Sequence, residues 1–308
     1  MTTVVATATP APIRRGSTNR RKQQLAPYLF VLPFFVVFVA MLVVPLGYAA
    51  WTSLFRSRLI GGKVFAGLDN YTRALTDPGF LEGLRRVALI LLVQVPIMLG
   101  LALVFALVLD SGRAYGSRAL RLLIFLPYAV PGVVATLMWG YLYGRDFGPI
   151  GQAFRAVGLQ APNFFSEQNM LGAIMNVVTW SFVGYNMVIM YSALRVIPHE
   201  LYEAAEIDGA SQLRIAWSIK IPVIRPAILL TLIFSIIGSF QIFNEPQLFD
   251  DLAPTVIDNA YTPNYYAYNV AFVNQDVGYA AAIAFLLGIV IAVVAYVVQF
   301  SSQRRERP

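Results

Sequence analysis

Six long apolar runs, none of which contains an acid, a lysine or an arginine, constrain this chain more than any other feature. The runs cover residues 28–51, 87–109, 122–144, 170–194, 227–244 and 277–300. A helix needs roughly 18 or more apolar residues to cross the hydrocarbon core of a bilayer, and every run reaches that length. Lipid offers no hydrogen bonds to the backbone, so a spanning run must be helical. The sequence therefore predicts an all-α membrane protein with six transmembrane helices, surrounded by membrane lipids.

The composition supports this class and excludes others. Hydrophobic residues make up 58% of the 308 residues and charged residues 13%, whereas soluble domains carry roughly 25% charged residues. The net charge of +7 fits basic residues that flank membrane spans, and we expect no nucleic-acid partner. The chain has no cysteine and a single histidine, His199, so thiolate and histidine metal sites are excluded.

The distribution of basic residues predicts the orientation of the chain. With both ends on one side of the membrane, that side carries 15 of the 23 lysines and arginines. Because basic residues accumulate on the cytoplasmic side, both termini are predicted to be cytoplasmic in a multi-pass protein of the cell membrane.

Three regions follow from this topology. Residues 1–27 are predicted to form a disordered basic tail, residues 28–300 the six-span domain, and residues 301–308 a short cytoplasmic tail. The first apolar run is too long for the core of a signal peptide, and no small-residue cleavage site follows it. We therefore expect an uncleaved anchor.

One cytoplasmic loop, residues 196–222, concentrates acids in the stretch "ELYEAAEIDGASQLRIAW". Pro198 suits the start of a helix, Gly209 a left-handed helix end, and Ser211 the cap of a second helix. The loop is therefore predicted to hold two short helices with a glycine hinge. One interpretation is a solvated amphipathic loop that buries Leu201, Ile207 and Ile215. The other is a docking element for a partner.

The spacing within this loop resembles a known signature. Glu203-Ala204-Ala205, then Gly209, then Ile219-Lys220-Ile221-Pro222 is similar to the EAA motif of permease subunits of binding-protein-dependent ABC importers. That family usually has leucine where this chain has Ile221. "GLDNYTRALTDPGF" and "RLLIFLPYAVPGVVATLMWGYLYGRDFGPI" resemble the first external loop and the third span of its sugar-importing members. "WSFVGYNMVIMYSALRVIPHELYEAAEIDGAS" is similar to the fourth span and the following loop of the maltose and glycerol-phosphate type, and "SFQIFNEP" resembles the end of the fifth span in oligosaccharide permeases.

One stretch departs from the family pattern. Sugar-importer permeases often have Gly-Gly-Pro and threonine after the fifth span, where this chain reads "QLFDDLAPTVIDNAYTPNYYAY". The substrate subgroup therefore stays open at this point, whereas the fold does not depend on that stretch.

The resemblance implies a type I ABC importer permease fold, in which the loop 196–222, called the coupling loop below, docks on an ATPase subunit. It assigns ATPase coupling to Glu203, Ala204, Ala205, Gly209 and Pro222. It implies that the chain is not an enzyme and holds no cofactor, because ATP and Mg are bound by partner ATPase subunits. The chain itself has no phosphate-binding loop, since Gly61-Gly62-Lys63 is too short. Further implied partners are a second permease, which is a related chain or a copy, and an extracellular sugar-binding protein.

The resemblance to maltose-type pumps also suggests a pathway for a sugar or oligosaccharide through the fourth and fifth spans. The candidate residues are Trp180, Tyr185, Asn186, Phe240, Gln241 and Asn244. Sugars bind to aromatic rings and to amide hydrogen bonds without a buried charge. The alternative is that these aromatic rings only pack or anchor the spans, and that the amides bond neighbouring helices.

Two other functions compete with sugar import by an ATP-driven permease. An ion-coupled secondary transporter often places acids within its spans, and here Glu245, at the outer end of the fifth span, is the nearest one. A membrane enzyme would need clustered His, Asp or Glu at membrane depth, which the sequence lacks. Arg214 is an internal candidate to pair with Glu203.

Overall fold

The structure, a computed structural model, describes residues 20–58, 62–112 and 115–304. The chain divides into two compact units after Trp51. The first unit is one long helix made of α1 (Arg20–Phe38), a π-helical turn (Val39–Val43) and α2 (Val44–Ser53), whose last two residues belong to the second unit. Helix α1 begins within the predicted N-terminal tail, and residues 1–19 of that tail lie outside the described residues.

A small hairpin opens the second unit. Strands β1 (Phe55–Arg58) and β2 (Gly62–Phe65) pair antiparallel, with Phe55 opposite Phe65. The buried amide of Asn70 donates to the carbonyls of Ser53 and Phe55 at 2.8 and 2.9 Å, which fixes the hairpin to the following helix. Residue 61 of the Gly61-Gly62-Lys63 run lies outside the described residues.

Helices make up the rest of the second unit. They are α3 (Asp69–Thr76), α4 (Pro78–Leu89), α5 (Val95–Asp110), α6 (Ser117–Phe125), α7 (Gly132–Tyr143), α8 (Pro149–Ala156), α9 (Glu167–Leu194), α10 (Glu200–Ile207), α11 (Gln212–Ile215), α12 (Ile221–Val223), α13 (Arg225–Phe240), α14 (Asn244–Asp250), α15 (Pro263–Tyr268) and α16 (Val277–Arg304). π-Helical turns join α4 to α5 (Ile90–Gln94), α11 to α12 (Ala216–Lys220) and extend α15 (Asn269–Val273), and a 3-10 turn (Leu126–Ala129) extends α6.

Five helices are long and apolar enough to cross a membrane, and a bent pair supplies a sixth span. The five are Pro27–Ser53, Pro78–Asp110, Glu167–Leu194, Arg225–Asp250 and Val277–Ser302. Counted with the bent pair, they confirm the predicted six spans and the all-α membrane fold.

The third span differs from the continuous helix predicted over residues 122–144. Its two parts, Ser117–Ala129 and Gly132–Tyr143, meet at an angle of 98°. Pro127 and Pro131 lack the N–H that a continuous helix needs, and Val130 before Pro131 is extended. The two prolines permit the bend, which hydropathy alone does not reveal.

The core of the second unit forms where α5 packs against α9. The buried residues of this cluster are Val95, Met98, Leu99, Ala102, Ala106, Leu109, Met187, Met190, Leu194, Ile197, Tyr202, Ile215 and Ile224. At Gly184 the backbone of α9 comes so close to α6 that an added Cβ would lie 2.0 Å from the carbonyl oxygen of Ile124. Only glycine allows this contact, which holds the third span against the fourth.

Candidate substrate cavity and coupling loop

A cavity of about 690 Å³ opens between the second, third, fourth and fifth spans. Its polar and ionisable lining residues are Gln94, Tyr128, Ser181, Tyr185, Asn186, Ser235, Ser239, Gln241, Asn244 and Glu245. The bend in the third span contributes Tyr128 and the turn up to Gly132 to the wall. The broken helix therefore shapes the cavity that we consider as the substrate pathway.

Four of the six predicted pathway residues line this cavity. They are Tyr185, Asn186, Gln241 and Asn244. The other two do not border it. Phe240 is buried against Val87, Ile236 and Leu287. The ring of Trp180 lies edge-on to that of Trp139, with centroids 5.8 Å apart. Adjacent residues of a helix point to different faces. Trp180 and Phe240 therefore pack inside the helix bundle although the residues next to them, Ser181 and Gln241, line the cavity.

An aromatic wall surrounds Tyr185. Its ring stacks on that of Tyr128 with centroids 4.7 Å apart and planes inclined by 22°. The ring of Phe182 meets that of Tyr128 edge to face at 5.8 Å, and the ring of Phe125 lies 5.5 Å from that of Tyr128 with the planes inclined by 46°. One face of Tyr185 is therefore occupied by Tyr128, and an incoming ring can reach only its remaining face and edge.

Two buried amides face the same cavity. The amide nitrogen of Gln94 donates to Thr179 Oγ1 at 3.1 Å, and that of Asn186 donates to the carbonyl of Phe182 at 3.0 Å. The side-chain oxygens of both residues, Gln94 Oε1 and Asn186 Oδ1, are buried without a donor among the described residues. Such oxygens are costly unless a donor reaches them, and a hydroxyl group can supply one.

The sequence prediction missed part of the lining. Gln94 is the one amide within its apolar run, and an amide at membrane depth is itself a signal of interhelical bonding or of a pathway. Glu245 also lines the cavity and has no ion pair with any described lysine or arginine. No lysine, arginine or histidine is among the described residues that line this cavity.

The coupling loop has the predicted local structure. Helix α10 ends at Ile207, Gly209 adopts a positive φ of 79°, and Ser211 caps α11 by accepting from the N–H of Arg214 at 3.3 Å. Pro222 lies in the first turn of α12 and carries the chain back toward the fifth span. These observations confirm the helix, glycine hinge and second helix.

The face of the coupling loop is apolar as well as acidic. Ile215 is buried, as the solvated-loop interpretation requires, but Leu201 and Ile207 are 50% and 87% exposed. That interpretation is therefore wrong for two of its three inward residues. Ala204 and Glu203 are exposed beside them, and Ala205 is half-buried. Exposed large apolar side chains next to alanines are typical of a contact surface.

Glu203 has a different neighbour from the one expected. His199 Nδ1 lies 3.4 Å from Glu203 Oε1, one helical turn away, and Arg214 makes no ion pair with it. Both side chains of the His199–Glu203 pair are more than two-thirds exposed, so solvent screens the contact and it stabilises little. Glu203 stays accessible to a partner.

Comparison with known proteins decides the family. Residues 98–307 match the profile of the binding-protein-dependent transport system inner membrane component. The chain belongs to this family. A diacetylchitobiose uptake system permease of Streptomyces coelicolor is 31% identical, with 96% of this chain and 88% of that protein covered. A lactose transport system permease of Rhizobium radiobacter is 28% identical, with 94% and 98% covered.

A solved structure shows the same fold. A chain of a bacterial alginate ABC transporter, in complex with a periplasmic protein that holds an alginate pentasaccharide, matches with a TM-score of 0.79 at 18% identity. The match covers 96% of this chain and 99% of that one. This permease component therefore has the type I permease fold and works with a binding protein, as its family name states.

Proposed function

We propose that this permease component is the membrane-spanning subunit of an ATP-driven importer of neutral sugars. The observation that carries the proposal is the cavity itself: aromatic rings and amides line it, and no described lining residue is basic. Sugar hydroxyls can donate to the oxygens of Gln94 and Asn186 once rotation of these amides exposes them to the cavity, and a sugar ring can pack on the face of Tyr185 that Tyr128 does not cover. Trp180 and Phe240 act as packing residues around this site.

The charge of the lining favours a neutral substrate. An anionic sugar in a desolvated cavity would need a positive partner, and Glu245 offers a carboxyl group instead. The relatives do not decide the charge of the substrate: two are named for neutral diacetylchitobiose and lactose, and others for the anionic sn-glycerol 3-phosphate and sulfoquinovosyl glycerol. A neutral disaccharide of this kind fits the available hydrogen-bonding groups, whereas a phosphorylated or acidic sugar does not.

The coupling loop is the proposed contact with an ATPase. Glu203, Ala204 and Ala205 lie on the accessible surface of α10, and the Gly209 turn and Pro222 set the path of the chain around it. This arrangement supports docking into a cleft of a separate ATPase subunit, which would bind ATP and Mg. The chain forms half of a pathway, completed by a second permease that is identical or related.

The experiment is purification of the chain through a tag from its native membrane, together with whatever ATPase, second permease and binding protein stay bound to it. After reconstitution, uptake of radiolabelled lactose and diacetylchitobiose is measured with ATP inside or outside the vesicles, and sn-glycerol 3-phosphate serves as the anionic comparison. We expect uptake of a neutral disaccharide that depends on ATP at the coupling-loop side. Uptake driven by a sodium or proton gradient without ATP would instead favour the ion-coupled transporter.

A further inference from the structure

A buried charged group joins the coupling loop to the second span. Lys220 Nζ donates to Asp110 Oδ2 at 2.5 Å, and the same ammonium group lies 4.4 Å from the centre of the Tyr202 ring. The side chains of Asp110 and Lys220 are only 3% and 6% exposed. These three residues, called the ionic cluster below, connect the end of α5, the helix α10 and the π-helical turn before α12.

The position of Asp110 makes a partner necessary. It is the last residue of α5, where the helix dipole already concentrates negative charge, so a carboxylate is disfavoured there unless a cation lies beside it. A buried ion pair is seldom more stabilising than apolar side chains of the same size. The cluster is therefore better explained by what it holds in place than by the stability it adds.

The second span connects the ionic cluster to the cavity. Residues Pro78–Asp110 form one continuous helix, which carries Gln94 in the cavity lining and Asp110 at its end. Those two residues are 16 positions apart in the numbering, or about 24 Å along the axis. Tyr202 and Ile215 of the coupling loop are buried in one hydrophobic cluster with Ala106 and Leu109 of α5. Apolar and ionic contacts thus hold the coupling loop against α5.

We propose that the ionic cluster is a positioning element that makes the coupling loop and the second span move as one body. Apolar contacts alone allow the loop to slide along the helix, whereas a buried ion pair at one point fixes its register. Movement of a docked ATPase subunit then reaches Gln94 through a single helix. The inference rests on the coupling function proposed above and adds the route by which movement travels.

The test measures movement between the loop and the span directly. Because the chain has no cysteine, Leu213→Cys in the coupling loop and Val104→Cys on α5 give two unique sites for spin labels; both side chains are exposed. Pulsed electron paramagnetic resonance records the distance between the labels in the complete complex, before and after trapping with ATP and vanadate. With the ionic cluster intact, we expect the same distance distribution in both states.

The decisive variant is Asp110→Asn combined with Lys220→Met, which removes both charges and keeps the volume nearly constant. We expect the label distance in this double variant to shift or broaden on trapping. Asp110→Asn alone leaves the Lys220 charge buried and unpaired, so it is expected to reduce expression more than the double variant does. A double variant with an unchanged distance would overturn the proposal, as would a distance that changes while the cluster is intact.

A matched control removes an ion pair elsewhere. Arg73 and Asp276 pair at 3.0 Å between α3 and the start of α16, and Arg73→Gln with Asp276→Asn should leave the label distance unchanged on trapping. Retention of the ATPase by the unsubstituted, unlabelled chain separates the two hypotheses, and the labelled chain must retain the same amount before its distances are compared. If the unlabelled chain does not retain the ATPase, the proposed function fails. If it does, and the double variant still moves as one body, only the positioning role fails.

Discussion

Tyr185 lines the cavity and stacks on Tyr128. Two substitutions at Tyr185 can separate the role of its ring from that of its hydroxyl. Tyr185→Ala removes a ring face and a hydroxyl, whereas Tyr185→Phe removes only the hydroxyl. A lost neutral hydrogen bond costs about 0.5–1.5 kcal/mol, up to about tenfold in affinity, and stacking contributes at least as much. We expect sugar uptake to fall most for Tyr185→Ala, less for Gln241→Leu and least for Tyr185→Phe.

The measurement is uptake and ATP hydrolysis on the same reconstituted complex. Basal hydrolysis should persist in all three variants, because the coupling loop is unchanged. Normal uptake in both Tyr185→Ala and Gln241→Leu would show that these side chains only pack the helices.

Gln94 allows a sharper comparison, because its nitrogen and oxygen have different environments. Its nitrogen bonds Thr179, whereas its oxygen has no donor among the described residues. Thr179→Val removes the interhelical bond and the bond from the Thr179 hydroxyl to the Met175 carbonyl but keeps the Gln94 oxygen, whereas Gln94→Leu removes the interhelical bond and the oxygen. We expect uptake to fall up to about tenfold more in Gln94→Leu than in Thr179→Val. Equal losses in the two variants would assign Gln94 to helix packing.

At this scale the sequence identified only part of the site. Tyr185, Asn186, Gln241 and Asn244 were predicted from a family resemblance, and the structure brings them to one cavity. Gln94 and Tyr128 were missed because their spans were not considered as part of the pathway. Whether an aromatic residue such as Phe240 faces a cavity or the core depends on helix rotation, which packing sets and hydropathy does not encode.

At the scale of single elements, the Gly209 turn decides the shape of the coupling loop. Its φ of 79° lies in the left-handed region, which a β-branched residue resists, so Gly209→Val should lose about 1–2 kcal/mol of local stability. We expect the purified variant to retain less ATPase and to transport less sugar. Gly158, with a φ of 76° after α8, offers a matched control with the same strain outside the coupling loop.

Gly158→Val should therefore retain the ATPase as the unsubstituted chain does. The measurement is the ratio of ATPase to permease after purification, together with uptake. Equal ATPase retention in both glycine variants would contradict the docking role of the coupling loop.

A second element-level contact joins α4 to α15 and α16. Asp77 Oδ2 accepts hydrogen bonds from Tyr266 Oη at 2.7 Å and from Tyr279 Oη at 2.5 Å, and its Oδ1 accepts from the N–H of Gly79. Burial raises the pKa of the Asp77 carboxyl, but the hydrogen bonds from Tyr279 and Tyr266 outweigh it, and the net effect is a lowered pKa. The folded state therefore favours the ionised carboxylate.

The sign of this shift gives a pH prediction. A lowered folded-state pKa adds stability above the unfolded pKa, near 3.9 for aspartate, and that stability is lost as the pH falls through the folded value. Asp77→Asn should lower the free energy of unfolding by about 1–2 kcal/mol at neutral pH. The difference from the unsubstituted chain, measured by thermal unfolding in detergent, should stay constant between about pH 7 and about pH 5. A difference that already narrows in that range would contradict the lowered pKa.

The elements themselves were largely predictable, because apolar length specifies a span and cap residues specify the short helices of the coupling loop. The third span shows the limit. Pro127 and Pro131 were visible within its apolar run, but prolines occur in straight and bent transmembrane helices alike. The 98° bend is settled by packing against the fourth span, where Gly184 admits the backbone of Ile124.

For the molecule as a whole, topology connects the cavity to the coupling loop. The basic residues are enriched on the side that holds the coupling loop, and we propose that this side is cytoplasmic and that an ATPase partner reaches the loop there. The segment between the fifth and sixth spans, residues 251–276, has no lysine or arginine and is proposed to face outward. A binding protein would then deliver sugar on one side while the ATPase acts on the other.

This arrangement is testable with single cysteines, since the natural chain has none. Ser211 in the coupling loop and Asn259 in the segment after the fifth span are both exposed. In intact cells, a membrane-impermeant maleimide should label Asn259→Cys and should label Ser211→Cys only after the membrane is opened. The unsubstituted chain reports background labelling. Labelling of Ser211→Cys from outside intact cells would show that the coupling loop faces outward. It would then contradict both the docking of an ATPase on that loop and the proposed direction of sugar transport.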